Sequence, residues 1–245
     1  MNFSKTNPLG VLVKTSLVDF PSHVSAVLFL HGCNLRCPYC YNKDLVCGKP
    51  NNPDYISFSQ IIEHLEKRRN VLTGFVISGG EALLCSCLPD LIKAARNLGY
   101  KIKLDTNGTL PEKLIDILNN SQTIPDFIAL DIKTSPEKYG MLLPNITEAG
   151  AKIIAQKITK SIKIISQLPS QMYEFRTVLV PPLIDKNDIE KIALLLPKNA
   201  SWQFAPFKNE NCIDENYNSI LPYTDAQMTE LVNLAKTKIP NANLR

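Results

Sequence analysis

"VSAVLFLHGCNLRCPYC" (residues 24–40) places an apolar run directly before three closely spaced cysteines. The run is almost continuously apolar and partly β-branched, which is typical of a strand covered on both faces in a parallel sheet. Cys33, Cys37 and Cys40 follow it with the spacing Cys-x3-Cys-x2-Cys. The sequence therefore predicts a buried strand whose carboxyl end presents three thiols on one loop.

Five further apolar runs alternate with amphipathic segments along the chain. Strands are predicted over residues 24–32, 74–80, 101–108, 126–133, 173–180 and 201–207. Helices are predicted over residues 57–69, 88–98, 111–119, 147–167, 185–196 and 224–238. Four of these helices have candidate N-caps, which are Ser57, Thr147, Asp185 and Thr224.

Six β–α repeats in succession predict an α/β fold with parallel strands and right-handed crossovers. Six units rather than eight favour a partial (β/α)6 TIM-like barrel, open on one side. An open doubly wound sheet is the alternative, because periodicity alone does not distinguish the two. Since no repeat, low-complexity tract or linker marks a boundary, we expect one domain over residues 1–245. Trp202 and Phe204 are expected to lie in its core.

Composition indicates an ordinary globular protein, with 44% hydrophobic and 20% charged residues among 245. The opening residues "MNFSKTNPLG" lack a hydrophobic run, and no apolar stretch reaches the ~20 residues of a membrane helix. We therefore expect a cytoplasmic protein without membrane contact. The net charge of +4 is small and dispersed, which argues against nucleic acid as a partner. Seven cysteines, an odd number, favour metal binding or catalysis over a disulfide framework.

Polar and glycine-rich sequence follows four consecutive predicted strands. The first ends at "HGC", the second at "SGGE", the third at "DTNG" and the fourth at "LDIK". Both candidate architectures bind ligands at the carboxyl ends of their strands. These four strand ends therefore predict one ligand site.

Three closely spaced thiolates indicate a metal centre with an incomplete set of protein ligands. Structural zinc takes four ligands, usually from paired Cys or Cys/His elements, and no second Cys-x2-Cys exists here. A [4Fe–4S] cluster is normally held by four thiolates, so three would leave one iron open to another ligand. A zinc knuckle that recruits His31 or Cys47 remains the structural alternative. Four cysteines receive no role and are interpreted as free thiols, with a second cluster as the alternative: Cys47, Cys85, Cys87 and Cys212.

The pattern Cys33-x3-Cys37-x-Tyr39-Cys40 resembles the signature of the radical S-adenosylmethionine (radical SAM) superfamily. The resemblance implies that Cys33, Cys37 and Cys40 hold a [4Fe–4S] cluster and that SAM chelates the unique iron. It also implies that an electron from the reduced cluster cleaves SAM to methionine and a 5′-deoxyadenosyl radical, which abstracts hydrogen. Tyr39 is then expected to pack against the adenine.

"SGGE" (78–81) resembles the second-strand motif of this superfamily, and the later strand ends resemble those of its glycyl-radical-enzyme activases. The resemblance implies that the SAM contacts come from Gly79, Gly80, Glu81, Asp105, Thr106, Asn107, Asp131, Lys133 and Arg176. The glycine backbones would approach the ligand closely, and Lys133 would offer a cation to its carboxylate. Asp131 and Lys133 are two positions apart in a strand, so their side chains should point the same way. A monovalent cation is further expected at Asp105, Thr106 and Asp131.

The sequence resembles most the activating proteins of anaerobic ribonucleoside-triphosphate reductase, which form a glycyl radical on their partner. The resemblance implies a glycyl-radical enzyme as partner, and we expect flavodoxin or ferredoxin as the electron donor. Residues 41–56 are too few for the ferredoxin-like insertion that many other activases carry. His31 departs from the expected pattern, where glutamine precedes the Gly-Cys-Asn. Two alternatives stay open: a radical SAM enzyme acting on a small molecule, such as a carboxy-deazaguanine synthase, and a non-catalytic iron–sulfur or zinc protein.

Overall fold

A computed structural model gives the structure of the protein and describes residues 5–49, 52–143 and 145–245. Its strands are β1 Pro8–Ser16, β2 Ser25–Leu30, β3 Ile56–Ser57, β4 Gly74–Gly79, β5 Lys101–Thr106, β6 Phe127–Asp131, β7 Tyr173–Leu179, β8 Trp202–Pro206 and β9 Ala242–Leu244. Its α-helices are α1 Lys43–Cys47, α2 Phe58–Arg68, α3 Leu88–Asn97, α4 Pro111–Leu118, α5 Glu148–Ile165, α6 Lys186–Ala193 and α7 Asp225–Lys236. The described residues form two compact units, the first within 1–34, 44–106 and 112–128, the second within 35–43, 107–111 and 129–245.

The first unit contains strands in the order β3-β1-β2-β4-β5. The β2–β4 and β4–β5 pairs are parallel, and the chain passes through α2 and α3 between them. The β1–β2 and β1–β3 pairs are antiparallel. Successive β–α–β connections thus bring the carboxyl ends of β2, β4 and β5 to the same edge of the sheet.

The second unit contains the order β6-β7-β8-β9. Its β7–β8 and β8–β9 pairs are parallel, with α6 and α7 as the intervening helices. Trp202 and Phe204 are fully buried on β8, and their rings lie 4.5 Å apart. The indole nitrogen of Trp202 donates to the hydroxyl of Thr177 at 3.0 Å, so its polar atom is satisfied in the core as predicted.

All four predicted N-caps are confirmed. The side chains of Ser57, Thr147, Asp185 and Thr224 each accept a hydrogen bond from the backbone three residues on. Each cap satisfies a backbone N–H that has no partner inside the helix, which explains why the helix begins there. The six predicted helices and the six predicted strands are all present, with ends that differ by a few residues.

Sequence patterning missed β1, β3, β9 and the short helix α1. β1 was missed because Val11 and Val13 are 36% and 40% exposed, so its apolar residues do not all face a core. β1 also runs antiparallel to its neighbours, outside the repeating β–α pattern. The α/β class with a mostly parallel sheet, to which a partial open TIM-like barrel belongs, is nevertheless confirmed. Within the described residues, no helix has the length and apolarity that a bilayer crossing requires.

Candidate active site

In the first unit, the backbone of the Gly-Gly-Glu segment packs directly on the end of β2. Gly80 N donates to Leu30 O and Glu81 N donates to Gly32 O, both at 2.9 Å. A Cβ on Gly80 would lie 1.9 Å from Gly32 O and 3.1 Å from the Cβ of Cys33. Gly79 has φ +121°, and a Cβ there would meet Leu30 O at 2.4 Å. These glycines are therefore required for close contact with the backbone that leads into Cys33.

The carboxylate of Glu81 is 2% exposed and serves a local structural purpose. Its Oε1 accepts from Leu83 N at 3.0 Å and from the Thr106 hydroxyl at 2.8 Å. The first contact caps the short 3-10 turn over residues 82–84. The second joins the end of β4 to the end of β5. The backbone N–H of Glu81 is thus held by Gly32, and its carboxylate is held by Leu83 N and by the Thr106 hydroxyl.

His31, the departure from the expected pattern, links the end of β2 to the segment after the cysteine loop. Its Nε2 donates to Gly48 O at 2.9 Å, and its ring lies 5.4 Å from that of Tyr55. Gly32 N donates to Leu45 O at 3.0 Å. Two contacts therefore hold α1 and its C-terminal residues against the residues that precede Cys33.

Sequence reasoning missed a buried ion pair within β5. Lys103 Nζ lies 2.6 Å from Asp105 Oδ1, with side-chain exposures of 1% and 11%. The Ser78 hydroxyl donates to Asp105 Oδ2 at 3.0 Å. The available signal was a lysine inside an apolar strand, two residues before an aspartate on the same face.

In the second unit, the loop that carries Cys37 and Cys40 is held by a later segment of the chain. Cys40 N donates to Cys37 O at 3.0 Å, which closes a turn. Ile213 N donates to Cys40 O, and Asp214 N donates to Pro38 O, both at 3.0 Å. Cys37 is buried and Cys40 is half-buried. These backbone contacts fix the spacing of the two thiols, and nothing in the cysteine motif itself identifies the partner segment.

Tyr39 is 6% exposed and lies edge-on to Phe207, with ring centroids 6.4 Å apart. Its hydroxyl has no hydrogen-bond partner among the described residues. Burial raises the pKa of this phenol well above its ordinary value, with Lys133 opposing the shift and Cys37, Asp131 and Cys40 adding to it. Tyr39 thus interacts electrostatically with the thiols of Cys37 and Cys40 and with Lys133.

Asp131 at the end of β6, Lys133 just after it and Arg176 in the middle of β7 form one charged cluster. Lys133 Nζ lies 2.8 Å from Asp131 Oδ2, and Arg176 Nε donates to Asp131 Oδ1 at 2.6 Å. All three side chains are 19–24% exposed. Burial alone would raise the pKa of Asp131, but Arg176 and Lys133 outweigh it and hold that pKa well below its usual range. The cluster carries a net positive charge, which suits an anionic ligand group.

Asn107 has a local role in the structure. It is 4% exposed, and its Oδ1 accepts from Thr109 N at 3.0 Å and from the Thr109 hydroxyl at 2.6 Å. These contacts form an Asx turn directly after β5. The sequence prediction that Asn107 contacts SAM stays a prediction.

One cysteine interpretation is wrong. Cys85 and Cys87 are joined by a disulfide, with Cα atoms 5.3 Å apart, so they are not free thiols. The pairing arises because Cys85 follows the 3-10 turn over 82–84 and Cys87 is the N-cap of α3, which brings the two side chains together. Cys47 and Cys212 are free, as predicted. Cys212 is buried, and burial raises the pKa of its thiol, with Cys40 and Asp214 adding to the shift.

The structure distributes the predicted site residues over the two units. The first contains Cys33, Gly79, Gly80, Glu81, Asp105 and Thr106; the second contains Cys37, Tyr39, Cys40, Asn107, Asp131, Lys133 and Arg176. Within either unit, no three His, Cys, Asp or Glu side chains of the described residues gather as a metal-binding group. Each unit contains part of the predicted thiol set and part of the predicted SAM contacts.

Comparison with known proteins gives a consistent picture. The sequence model of the Radical SAM superfamily matches residues 27–196. A relative from Methanocaldococcus jannaschii, provisionally named a glycyl-radical enzyme activating enzyme, is 30% identical over 96% of this chain and 94% of its own length. The pyruvate formate-lyase-activating enzyme of Clostridium pasteurianum is 28% identical over 74% of this chain and 72% of its own.

A solved structure, that of QueE from Escherichia coli, shares the fold. Its TM-score is 0.54 at 12% sequence identity, covering 97% of this chain and 92% of that one. At this identity the likeness concerns the fold alone.

Proposed function

The chain belongs to the radical SAM superfamily, and on that premise we propose that it generates a glycyl radical on a partner enzyme, an anaerobic ribonucleoside-triphosphate reductase. The observation that carries the proposal is the M. jannaschii relative, whose name describes the activation of a glycyl-radical enzyme and whose similarity extends over 96% of this chain. The resemblance of the lead-in and strand ends to reductase activases supports the choice of partner.

Family membership implies a [4Fe–4S] cluster and SAM as cofactors. The donor chemistry of this chain fits both, because three cysteines supply thiolates and the Asp131–Lys133–Arg176 cluster supplies cations. We assign Cys33, Cys37 and Cys40 as the cluster ligands. When bound, the reduced cluster and SAM supply the 5′-deoxyadenosyl radical that removes hydrogen from the target glycine.

The residues of this chain orient the cofactor. In our proposal Lys133 and Arg176 bind the carboxylate of SAM, and Asp131 holds both cations in position through contacts of 2.8 and 2.6 Å. Burial alone would lower the pKa of Lys133, but Asp131 outweighs burial and raises that pKa above its ordinary value. The Lys133 side chain therefore stays charged. Gly79, Gly80 and Glu81 hold the backbone before Cys33. Tyr39 offers a buried ring beside the thiols for the adenine.

A protein substrate is consistent with the short segment after the cysteine loop. Between Cys40 and α2, the described residues hold only α1 and β3 as regular structure. The chain thus has little material there to enclose a small molecule. Electrons are proposed to come from flavodoxin or ferredoxin, because protein-held clusters reach potentials as low as about −700 mV and need a low-potential donor.

The function is tested by anaerobic reconstitution with iron and sulfide, followed by SAM, a reductant and a candidate glycyl-radical enzyme. We expect methionine and 5′-deoxyadenosine as products, and a glycyl signal in electron paramagnetic resonance that depends on the partner's glycine. Product formation with no glycyl signal from any anaerobic reductase or related partner would overturn the proposed substrate. A cluster spectrum unaffected by SAM would overturn the reaction itself.

Alanine variants test the cluster ligands separately. Cys33→Ala, Cys37→Ala and Cys40→Ala should each abolish the [4Fe–4S] absorbance, because one iron loses its thiolate. Cys47→Ala is the matched control, since Cys47 is free and exposed on α1 and should keep the full spectrum. A complete cluster in any of the three variants would refute the assignment of that ligand.

A further inference from the structure

Lys103 is a lysine in a place that normally holds an apolar side chain. It lies in the middle of β5 with a side-chain exposure of 1%. Its parallel neighbour in register is Val76, which belongs to a buried apolar cluster with Phe20 and Val27. An ammonium in such surroundings persists only when a counter-charge meets it. Asp105, two residues along the strand, provides that charge at 2.6 Å.

Asp105 is engaged through both carboxylate oxygens. Oδ1 receives Lys103 Nζ, and Oδ2 accepts from the Ser78 hydroxyl at 3.0 Å. The pair is therefore neutral overall, and its geometry is fixed from two sides. Lys103 and Ser78 stand on β5 and β4, so the sheet itself holds the carboxylate in place.

This arrangement does not fit the monovalent cation expected at Asp105, Thr106 and Asp131. A metal cation at Asp105 would meet the Lys103 ammonium beside the same carboxylate, and like charges at such distances repel strongly where burial limits screening. Asp131, in its own unit, is already paired with both Lys133 and Arg176. Asp105 and Asp131, the two carboxylates of the expected cation site, thus each already pair with a side-chain cation.

We propose that the Lys103 ammonium takes the place of a monovalent metal ion at Asp105, as a tethered internal cation. Lys103 is then a positioning residue, because it acts on the cofactor site through Asp105. The consequence is that SAM binding by this enzyme does not depend on K⁺ or Na⁺. Removing the ammonium should leave a carboxylate that a free alkali cation can occupy, so a cation dependence should appear in the variant.

The test measures SAM affinity of the reconstituted enzyme by equilibrium dialysis, without any partner enzyme. Wild-type protein is compared in tetramethylammonium, K⁺ and Na⁺ salts at constant ionic strength, and its dissociation constant should stay within about twofold. Lys103→Met should weaken SAM binding by about tenfold in tetramethylammonium, a typical coupling magnitude, and K⁺ or Na⁺ should restore it. Because no glycyl radical is measured, the result is independent of the proposed protein substrate.

Lys101→Met is the matched control on the same strand. Lys101 also pairs with an aspartate, Asp126 at 2.9 Å, but its side chain is 58% exposed. This variant should bind SAM like the wild type in all three salts. The proposal is overturned if wild-type binding requires an alkali cation, if Lys103→Met binds SAM as the wild type does, or if its loss is not restored by cations. Should Lys103→Met fail to fold, Lys103→Arg decides: it keeps a tethered cation, so any alkali dependence there also overturns the proposal.

Discussion

The charge state of Asp131 is strongly biased by two neighbouring cations. Arg176 and Lys133 contact its two oxygens, and together they more than offset the effect of burial on its pKa. A carboxyl with a lowered folded-state pKa stabilises the protein fully above its unfolded pKa of about 3.9. That contribution is lost as pH falls below this value through the folded-state pKa.

Asp131→Asn should therefore lower the free energy of unfolding at neutral pH by roughly 1–3 kcal/mol, because two partly buried cations lose their counter-charge. The difference in unfolding free energy between Asp131→Asn and the wild type should stay constant between about pH 6 and 8. It should shrink below about pH 4, where the contribution of the Asp131 carboxylate is lost. Urea unfolding followed by circular dichroism measures both. Glu63→Gln is the control: Glu63 pairs with Lys67 in solvent, and its loss should change stability little. A difference that grows on acidification would contradict this account.

Among the secondary-structure elements, the end of β4 determines the position of the backbone before Cys33. Gly80 has no space for a side chain, because its Cβ would fall 1.9 Å from Gly32 O. Since the obstacle is backbone, the strand ends must move apart to accept even a methyl group. The consequence should appear first in the cysteine loop, which comes directly after Gly32.

We expect Gly80→Ala to fold but to bind less than the full iron and sulfide, because Cys33 is displaced from its position. Iron and sulfide analysis after reconstitution measures the loss, and circular dichroism monitors the fold. Gly140→Ala is the control, since its nearest neighbour would be the Ala151 side chain at 3.3 Å. Full cluster loading in Gly80→Ala would show that the close packing at Gly80 does not control the thiol.

The start of α6 depends on two aspartates that differ sharply in burial. Asp185 is the N-cap, and Asp188 closes the capping box. Asp188 is fully buried and also accepts from the Ser135 hydroxyl at 2.6 Å and from Lys138 Nζ at 2.5 Å. Removing Asp188 would leave the buried Ser135 hydroxyl without this acceptor and Lys138 with only the longer contact to Asp185 at 3.4 Å, whereas removing Asp185 costs a cap and that longer, more exposed contact.

Asp188→Ala should thus destabilise the protein by roughly 2–4 kcal/mol, against about 1 kcal/mol for Asp185→Ala. Denaturant unfolding of both variants gives the comparison. Thr224→Ala, which removes the equivalent cap of α7, should match Asp185→Ala. Equal losses in the two aspartate variants would contradict the role given to the buried contacts.

Across the full chain, the sequence predicted the elements that periodicity and capping determine. The β–α alternation indicated six of the strands and their helices, because strands buried on both faces carry continuous apolar runs. It missed β1, whose valines are partly exposed, and β9, whose three residues are too few for a pattern. β1 and β9 form by pairing with neighbouring strands, and their own residues carry no pattern that predicts them.

The candidate site likewise contains residues that the sequence predicted and residues that it did not. The thiol spacing and the charged strand ends were visible, since their chemistry lies in residues close in sequence. Lys103 was not recognised, because its partner Asp105 was already assigned to a ligand. The segment at Ile213 and Asp214, which holds the cysteine loop, lies far away in sequence and carries no motif. Tertiary contacts of this kind leave no local pattern to detect.

The end of the chain provides a last long-range contact, and it can be tested by a double substitution. β9 pairs with β8, and Arg245 donates through its guanidinium to Glu174 at 2.5 Å. The Glu174 side chain is 4% exposed, and its second oxygen has no hydrogen-bond partner among the described residues. Arg245→Ala would leave that carboxylate buried without its cation, which should cost roughly 1–3 kcal/mol of unfolding free energy. Glu174→Gln in the Arg245→Ala background should recover part of the loss, because a neutral amide is easier to bury than an unpaired charge. Urea unfolding of the two single variants and the double variant measures the coupling, and additive losses would show that the pair does not act as a unit.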